Sequence, residues 1–195
     1  MNRSLLIALC SIVAIIGCGD TSEEAPAQAA SSPAEAPTTP VAEPEAPAIP
    51  LEPAADGTYS CTEGNYTIAG IYAGPADVAD LNGPLITASG TCHLSVTTST
   101  VFGDPAIKVE GSAQVTSSAV SYNATPEGAA APIHLEGSAT FTMTGGSSHA
   151  RTDDSPCAYI GEGTTLTVES GMCSSGTLAN AGGTFTDNGG SYWHR

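Results

Sequence analysis

Apolar and polar residues alternate along much of the chain after residue 56, and the clearest stretch recurs. Ile107-Lys-Val-Glu-Gly-Ser-Ala-Gln-Val115 is echoed by Ile133-His-Leu-Glu-Gly-Ser-Ala-Thr-Phe141. Ile86-Thr-Ala-Ser-Gly-Thr-Cys-His-Leu94 follows the same outline more loosely. A period of two puts Ile, Val or Leu, Gly, Ala, and Val or Phe on one side. Lys108 or His134, Glu, Ser, and Gln or Thr fall on the other, as in a half-buried strand. Strands are predicted near 58–62, 65–73, 85–97, 105–116, 118–124, 132–144, 157–169, 175–179 and 183–194. The interval from Ile107 to Ile133 is long for one hairpin but suits two strands and two turns, so a meander would return a strand in the same direction.

Helical signals are sparse. Pro75 to Leu81, closed by Asn82-Gly83, reads as one short helix, since Pro suits a first turn and Gly an end. Asp187-Asn188-Gly189-Gly190 supplies the left-handed residues of a tight turn. The predicted fold class is therefore all-β: an antiparallel meander forming a barrel or a two-sheet sandwich, with at most one short helix near 75–81. Closure would remove exposed edges from a chain rich in Thr and Val. The same alternation turns Ala88, Gly90, Gly111, Ala113, Gly137 and Ala139 inward, leaving one interior level with almost no side-chain volume. Such a level either allows tight coiling and room for Trp193 or Tyr192, or lines a pocket for a small apolar or glycan-like ligand.

The chain before Asp56 does not alternate. Arg3 precedes an apolar run from Leu5 to Ile16 that ends at Gly17-Cys18, too short to span a bilayer and shaped like a secretory signal. Ile15-Ile16-Gly17-Cys18 resembles the lipobox of bacterial lipoproteins, with Ile15 where Leu is usual. The resemblance implies that residues 1–17 are a signal peptide and that Cys18 becomes the first, lipid-bearing residue. It also implies an outer-membrane address, because Asp20 stands one position beyond the one where an acid favours inner-membrane retention. The resemblance implies three lipid chains on Cys18, each contributing about 0.8 kcal/mol per buried methylene, so such an anchor would be effectively permanent. Residues 18–55 then form the lipid anchor and a disordered tether. From 19 to 55 they hold eight prolines, eleven alanines and seven acids, with no basic or aromatic residue. Repeated Pro and like charge favour extended conformations and make this a spacer.

Residues 56–195 are long enough for one domain with one core. They carry thirteen acids against Lys108, Arg151 and Arg195. That balance excludes nucleic acid and docking on anionic lipid, which need clustered cations. Four cysteines remain in the domain, an even count in an exported chain. Flanking neighbouring strands, Cys61 is expected to pair with Cys92 and Cys157 with Cys173. The short Cys-x-x-Cys spacing of a metal site is absent.

Candidate chemistry is thin. His93, His134, His149 and His194 are not at ligand spacing along any strand, and His134 takes the solvated place of Lys108 in the repeat. Ser147, Ser148, His149, Asp153 and Asp154 contain the residue types of a hydrolase triad, but they crowd one Gly-rich stretch without a Gly-x-Ser-x-Gly elbow. Asp153-Asp154 and Asp187-Asn188-Gly189 offer oxygen ligands without calcium-loop spacing. The expectation is a lipid-anchored cell-envelope protein, a non-enzymatic binding or surface-structural β-domain with no cofactor and no assigned metal. Its partners would be the membrane, through the lipid, and an unidentified small ligand or envelope protein. The alternatives are a small envelope hydrolase using the Ser147–Asp154 loop, and a metal-binding module.

Overall fold

A computed structural model describes residues 46–195 except 75, 78–82, 127, 129, 175, 192, 194 and 195. Among the described residues the chain forms strands and turns and no helix. The strands are β1 (Ile49–Pro50), β2 (Tyr59–Ala69), β3 (Ile86–Gly103), β4 (Ile107–Val109), β5 (Gln114–Ala124), β6 (Ile133–Leu135) and β7 (Thr140–Met143). They continue as β8 (Gly146–His149), β9 (Pro156–Ile160), β10 (Thr165–Val168), β11 (Gly171–Ser174), β12 (Thr177–Asn180), β13 (Thr184–Asp187) and β14 (Gly190–Ser191). The helix expected near 75–81 falls largely outside the described residues, and Ala76–Asp77 form a turn.

Every one of these strand pairings is parallel. The order β12-β9-β6-β4-β3-β5-β7-β10-β13, with β8 beside β5 and β11, is that of a β-solenoid wound over three faces. A first face stacks the starts of β2 and β3, then β4, β6, β9 and β12. The second carries the middle of β2 and β3, the start of β5, then β7, β10 and β13. The third holds the ends of β3 and β5, then β8, β11 and β14. One coil thus runs β6, β7, β8 before β9 returns beside β6.

The expected antiparallel barrel or sandwich is therefore corrected to a parallel β-solenoid. Period-two alternation reports which side is buried and carries no information about strand direction. Parallel neighbours need a crossover of a dozen or more residues, usually a helix. Here the other two faces supply that crossover. The near-repeat in the sequence is one coil stacked on the next: Ile107 pairs with Ile133, Val109 with Leu135, Gln114 with Thr140 and Val115 with Phe141. Stretches expected as single strands, such as 132–144, turn a corner instead and contribute to two faces.

Stacking in register builds the core as columns of like side chains, each coil burying the faces its neighbours expose. Ile86, Ile107 and Ile133 form one column, Val109, Leu135 and Ile160 another, and Leu94, Val115, Phe141 and Leu166 a third, all buried. Buried polar groups are satisfied inside: Tyr122 Oη donates to Ser117 Oγ at 2.9 Å, and Thr164 Oγ1 donates to the Gly161 carbonyl at 2.7 Å. At the C-terminal end Trp193 folds inward, 1% exposed, and its ring lies 6.2 Å from that of Phe185. Upstream of residue 56, β1 pairs with Tyr66 and Thr67 of β2, and Leu51 N–H donates to the Thr67 carbonyl.

The corner between the first and second faces explains the glycine that recurs in each copy of the repeat, after Ser89, Glu110 and Glu136. Gly90, Gly111 and Gly137 have φ of 59°, 68° and 74°, a left-handed backbone that favours glycine. A Cβ on Gly111 would lie 3.0 Å from the Gly90 nitrogen, and one on Gly137 3.0 Å from the Gly111 nitrogen. Coils of this spacing close only over a bare backbone here. Coil-length differences collect at the third corner, in the connections from β3 to β4, β5 to β6, β8 to β9 and β11 to β12, where the third face gives way to the first.

Candidate binding face

Each second-face strand buries one side-chain set and presents the other to solvent. Two outward columns result. The first runs Asn65, His93, Gln114, Thr140, Thr165, Thr184, and the second Thr67, Ser95, Thr116, Thr142, Thr167, Thr186. From β5 through β7 and β10 to β13 the register runs without a bulge. Neighbouring coils stand about 4.8 Å apart, and alternate residues along a strand about 6.7 Å, so the threonines form a near-rectangular grid. Thr is β-branched and stiff at χ1, which limits the freedom of each hydroxyl and methyl. Among the described residues, the hydroxyls of Thr140, Thr142, Thr165, Thr167, Thr184 and Thr186 have no protein partner. Neither column contains Asp, Glu, Lys or Arg, in a chain of formal net charge −16. The face is uncharged while the molecule is acidic.

At its N-terminal end the face is bordered by residues 46–48. Asn65 Nδ2 donates to the Ala46 carbonyl at 2.8 Å, and an open depression of about 440 Å³ lies there between Ala46, Ala48, His93, Gln114 and Thr116.

The first face carries charge instead. Lys108 Nζ lies 2.8 Å from Glu110 and 3.0 Å from Glu136, and His134 Nε2 lies 3.0 Å from Glu136. His134 stacks on Tyr159 at 4.5 Å. The Lys108 ammonium, then His134, holds the Glu136 carboxyl below its ordinary range, while Glu110 and then Glu136 raise Lys108. These groups are solvent-accessible, and such bridges contribute about 1 kcal/mol or less.

On the third face the structure separates the expected hydrolase residues. Ser147 Oγ and His149 Nε2 are 2.7 Å apart, and Ser147 also reaches Ser121 Oγ at 3.4 Å. Ser148 points inward and donates to the Cys157 carbonyl at 2.6 Å. Asp153 and Asp154 are exposed in the turn that follows. The pair can pass a proton between hydroxyl and imidazole, but among the described residues no carboxylate bonds to the ring to orient it.

Burial lowers the His149 pKa from its ordinary 6.5. Below that value the unfolded chain binds more protons than the folded one, so this group's contribution to stability is complete above pH 6.5 and is lost as pH falls through the folded pKa. Glu136 adds its own loss only below its ordinary 4.5. Thermal unfolding followed from neutral pH down to about 5 should show a falling midpoint that flattens in His149→Gln. An unchanged slope in the variant would remove His149 as the cause.

The remaining sequence candidates are dispersed. His93, His134 and His149 lie on three different faces, and His194 is outside the described residues. Among the described residues no group of three or more His, Cys, Asp or Glu side chains is placed to hold a metal ion. Ala88, Ala113 and Ala139 are buried, whereas Gly90, Gly111 and Gly137 sit at the corner between two faces, with the preceding coil's backbone filling the space beside each. Cys61 is bonded to Cys92 and Cys157 to Cys173. Cys18 lies outside the described residues. Sequence reasoning missed the threonine face. Its signal was the spaced pair Thr-x-Thr at 140 and 142, 165 and 167, and 184 and 186.

No family model matches the chain. Neither a curated protein nor a solved structure matches it.

Proposed function

We propose that this chain is a lipid-anchored envelope protein, held in the outer membrane through Cys18, whose solenoid is a non-enzymatic binding module. It docks its second face on an extended, uncharged and regularly repeating surface. The observation that carries this reading is the threonine grid of β7, β10 and β13, continued in register by Gln114 and Thr116 of β5 and clear of Asp, Glu, Lys and Arg in an acidic molecule. A rigid scaffold presents such a grid without an ordering cost at binding. Many weak, identical contacts then add along it, as linked sites do. A small soluble ligand would use only a fraction of it. The lipobox-like start and the Pro/Ala/Glu-rich segment support display away from a membrane.

The test is depletion of the full chain from solution by a panel of ordered solids: crystalline cellulose, chitin and polycrystalline ice. One of them should retain it, and Thr142→Lys or Thr167→Lys should release it. Failure to bind any of them, or binding indifferent to these substitutions, removes the docking face.

The 2.7 Å Ser147–His149 contact favours a second reading, a small envelope hydrolase. A serine-directed fluorophosphonate should then label Ser147 in a His149-dependent way. Absence of labelling returns both residues to a structural role.

A further inference from the structure

The two spacings of the docking face are those of any parallel sheet, and what is specific here is that threonine fills the outward positions of β7, β10 and β13 in register. Across strands the repeat is about 4.8 Å, and along them about 6.7 Å. On exposed faces of hexagonal ice, oxygen atoms recur in two directions at repeats close to both. A threonine side chain offers such a lattice two things: a hydroxyl that donates and accepts, and a methyl that water can enclose. Rows of them can hold a layer of water that is already near the crystal's arrangement.

The residues kept off the face point the same way. Charged groups organise tightly held shells of their own, an ammonium above all, and would disrupt a lattice-like layer. The outward columns contain none from β2 to β13. Sugar surfaces are usually met by exposed aromatic rings, which pair a broad apolar face with a polar tip. The aromatic residues of this face, Tyr66, Phe141 and Phe185, stand in the inward column with Leu94, Val115 and Leu166. A glycan would find hydroxyls but no stacking platform.

We infer that the surface bound by this face is ice, and that the Thr140, Thr142, Thr165, Thr167, Thr184 and Thr186 array is the contact. The inference rests on the docking-face reading and names its ligand.

Slow growth of ice from a stirred solution of the full chain tests it, with an ordinary globular protein of similar size as the reference. The chain should enter the ice while the reference is excluded. Thr142→Lys and Thr167→Lys should fall to the reference level. Ser191→Lys, an exposed substitution on the third face, should enter as well as the parent. Exclusion of the parent chain overturns the inference whatever the variants do, and so does undiminished entry of both threonine variants. Exclusion from ice with threonine-dependent binding to cellulose or chitin overturns ice alone and leaves the docking face standing. Exclusion from ice with no binding to either polymer removes both.

Discussion

Replacing Phe141 by Ala should destabilise the domain by about 3–5 kcal/mol, the usual range for a buried aromatic truncated to Ala. Phe141 is 0% exposed and packs edge-on against Tyr122, ring centroids 5.8 Å apart. Its coil lies between others, since β7 pairs with β5 on one side and β10 on the other. The cavity would therefore open against Val115 and Leu166 together and weaken two coil-to-coil interfaces. Stability in a stacked array is close to a sum over such interfaces, so a central defect costs more than a terminal one. Phe185, in the same column but in the last strand of this face, is only half-buried and has one strand neighbour. Phe185→Ala should cost clearly less. Denaturant unfolding of the two variants decides the matter: equal losses would mean that the coils do not transmit stability as neighbours.

The burial side of almost every residue in this core could be read from alternation alone. Ile107, Val109, Val115, Ile133, Leu135 and Phe141 are inside, and Lys108, His134, Gln114 and Thr140 are outside, as the period-two pattern requires. Strand direction could not be read, because a pleated strand alternates identically in parallel and antiparallel pairs. The clue was the return of the Ile107–Val115 pattern at Ile133–Phe141, with Ile86–Leu94 as a looser forerunner. Elsewhere the interval between partners changes from coil to coil: His93 meets Gln114, Gln114 meets Thr140, and Thr165 meets Thr184. The longer connections at the third corner, from β5 to β6 and from β8 to β9, produce much of that variation and hide the periodicity. The glycines misled for a related reason. Inside a straight strand, Gly111 and Gly137 would face inward with Ala113 and Ala139. At a corner, left-handed φ values of 68° and 74° break the alternation. The threonine face was invisible as a surface until stacking placed pairs from distant parts of the chain side by side, though each pair was plain in the sequence.

The two disulfides sit near the ends of the array, and removing the second should unravel that end before the middle. A terminal coil has a neighbour on one side only and frays most easily. Cys61–Cys92 ties the first coil to the second across 31 residues. Cys157–Cys173 closes β9 onto β11 across 16 residues, where the chain is about to form its last strands. In the chain-entropy account a loop of this size contributes about 3 kcal/mol by restricting the unfolded state. The variant with Cys157→Ala and Cys173→Ala should lose about that much in equilibrium unfolding. Both sulfurs are buried, with Cys157 0% and Cys173 2% exposed, so the paired Ala substitutions also remove packing and the loss should not be smaller. Native-state hydrogen exchange separates the two ends. Amides of β12, β13 and β14 should lose protection first, while those of β4, β5 and β7 keep theirs. Uniform loss along the chain would mean that the solenoid unfolds as one cooperative block. The clip would then stabilise the whole array rather than its last coil, and a single global unfolding step would be left to account for the measured change.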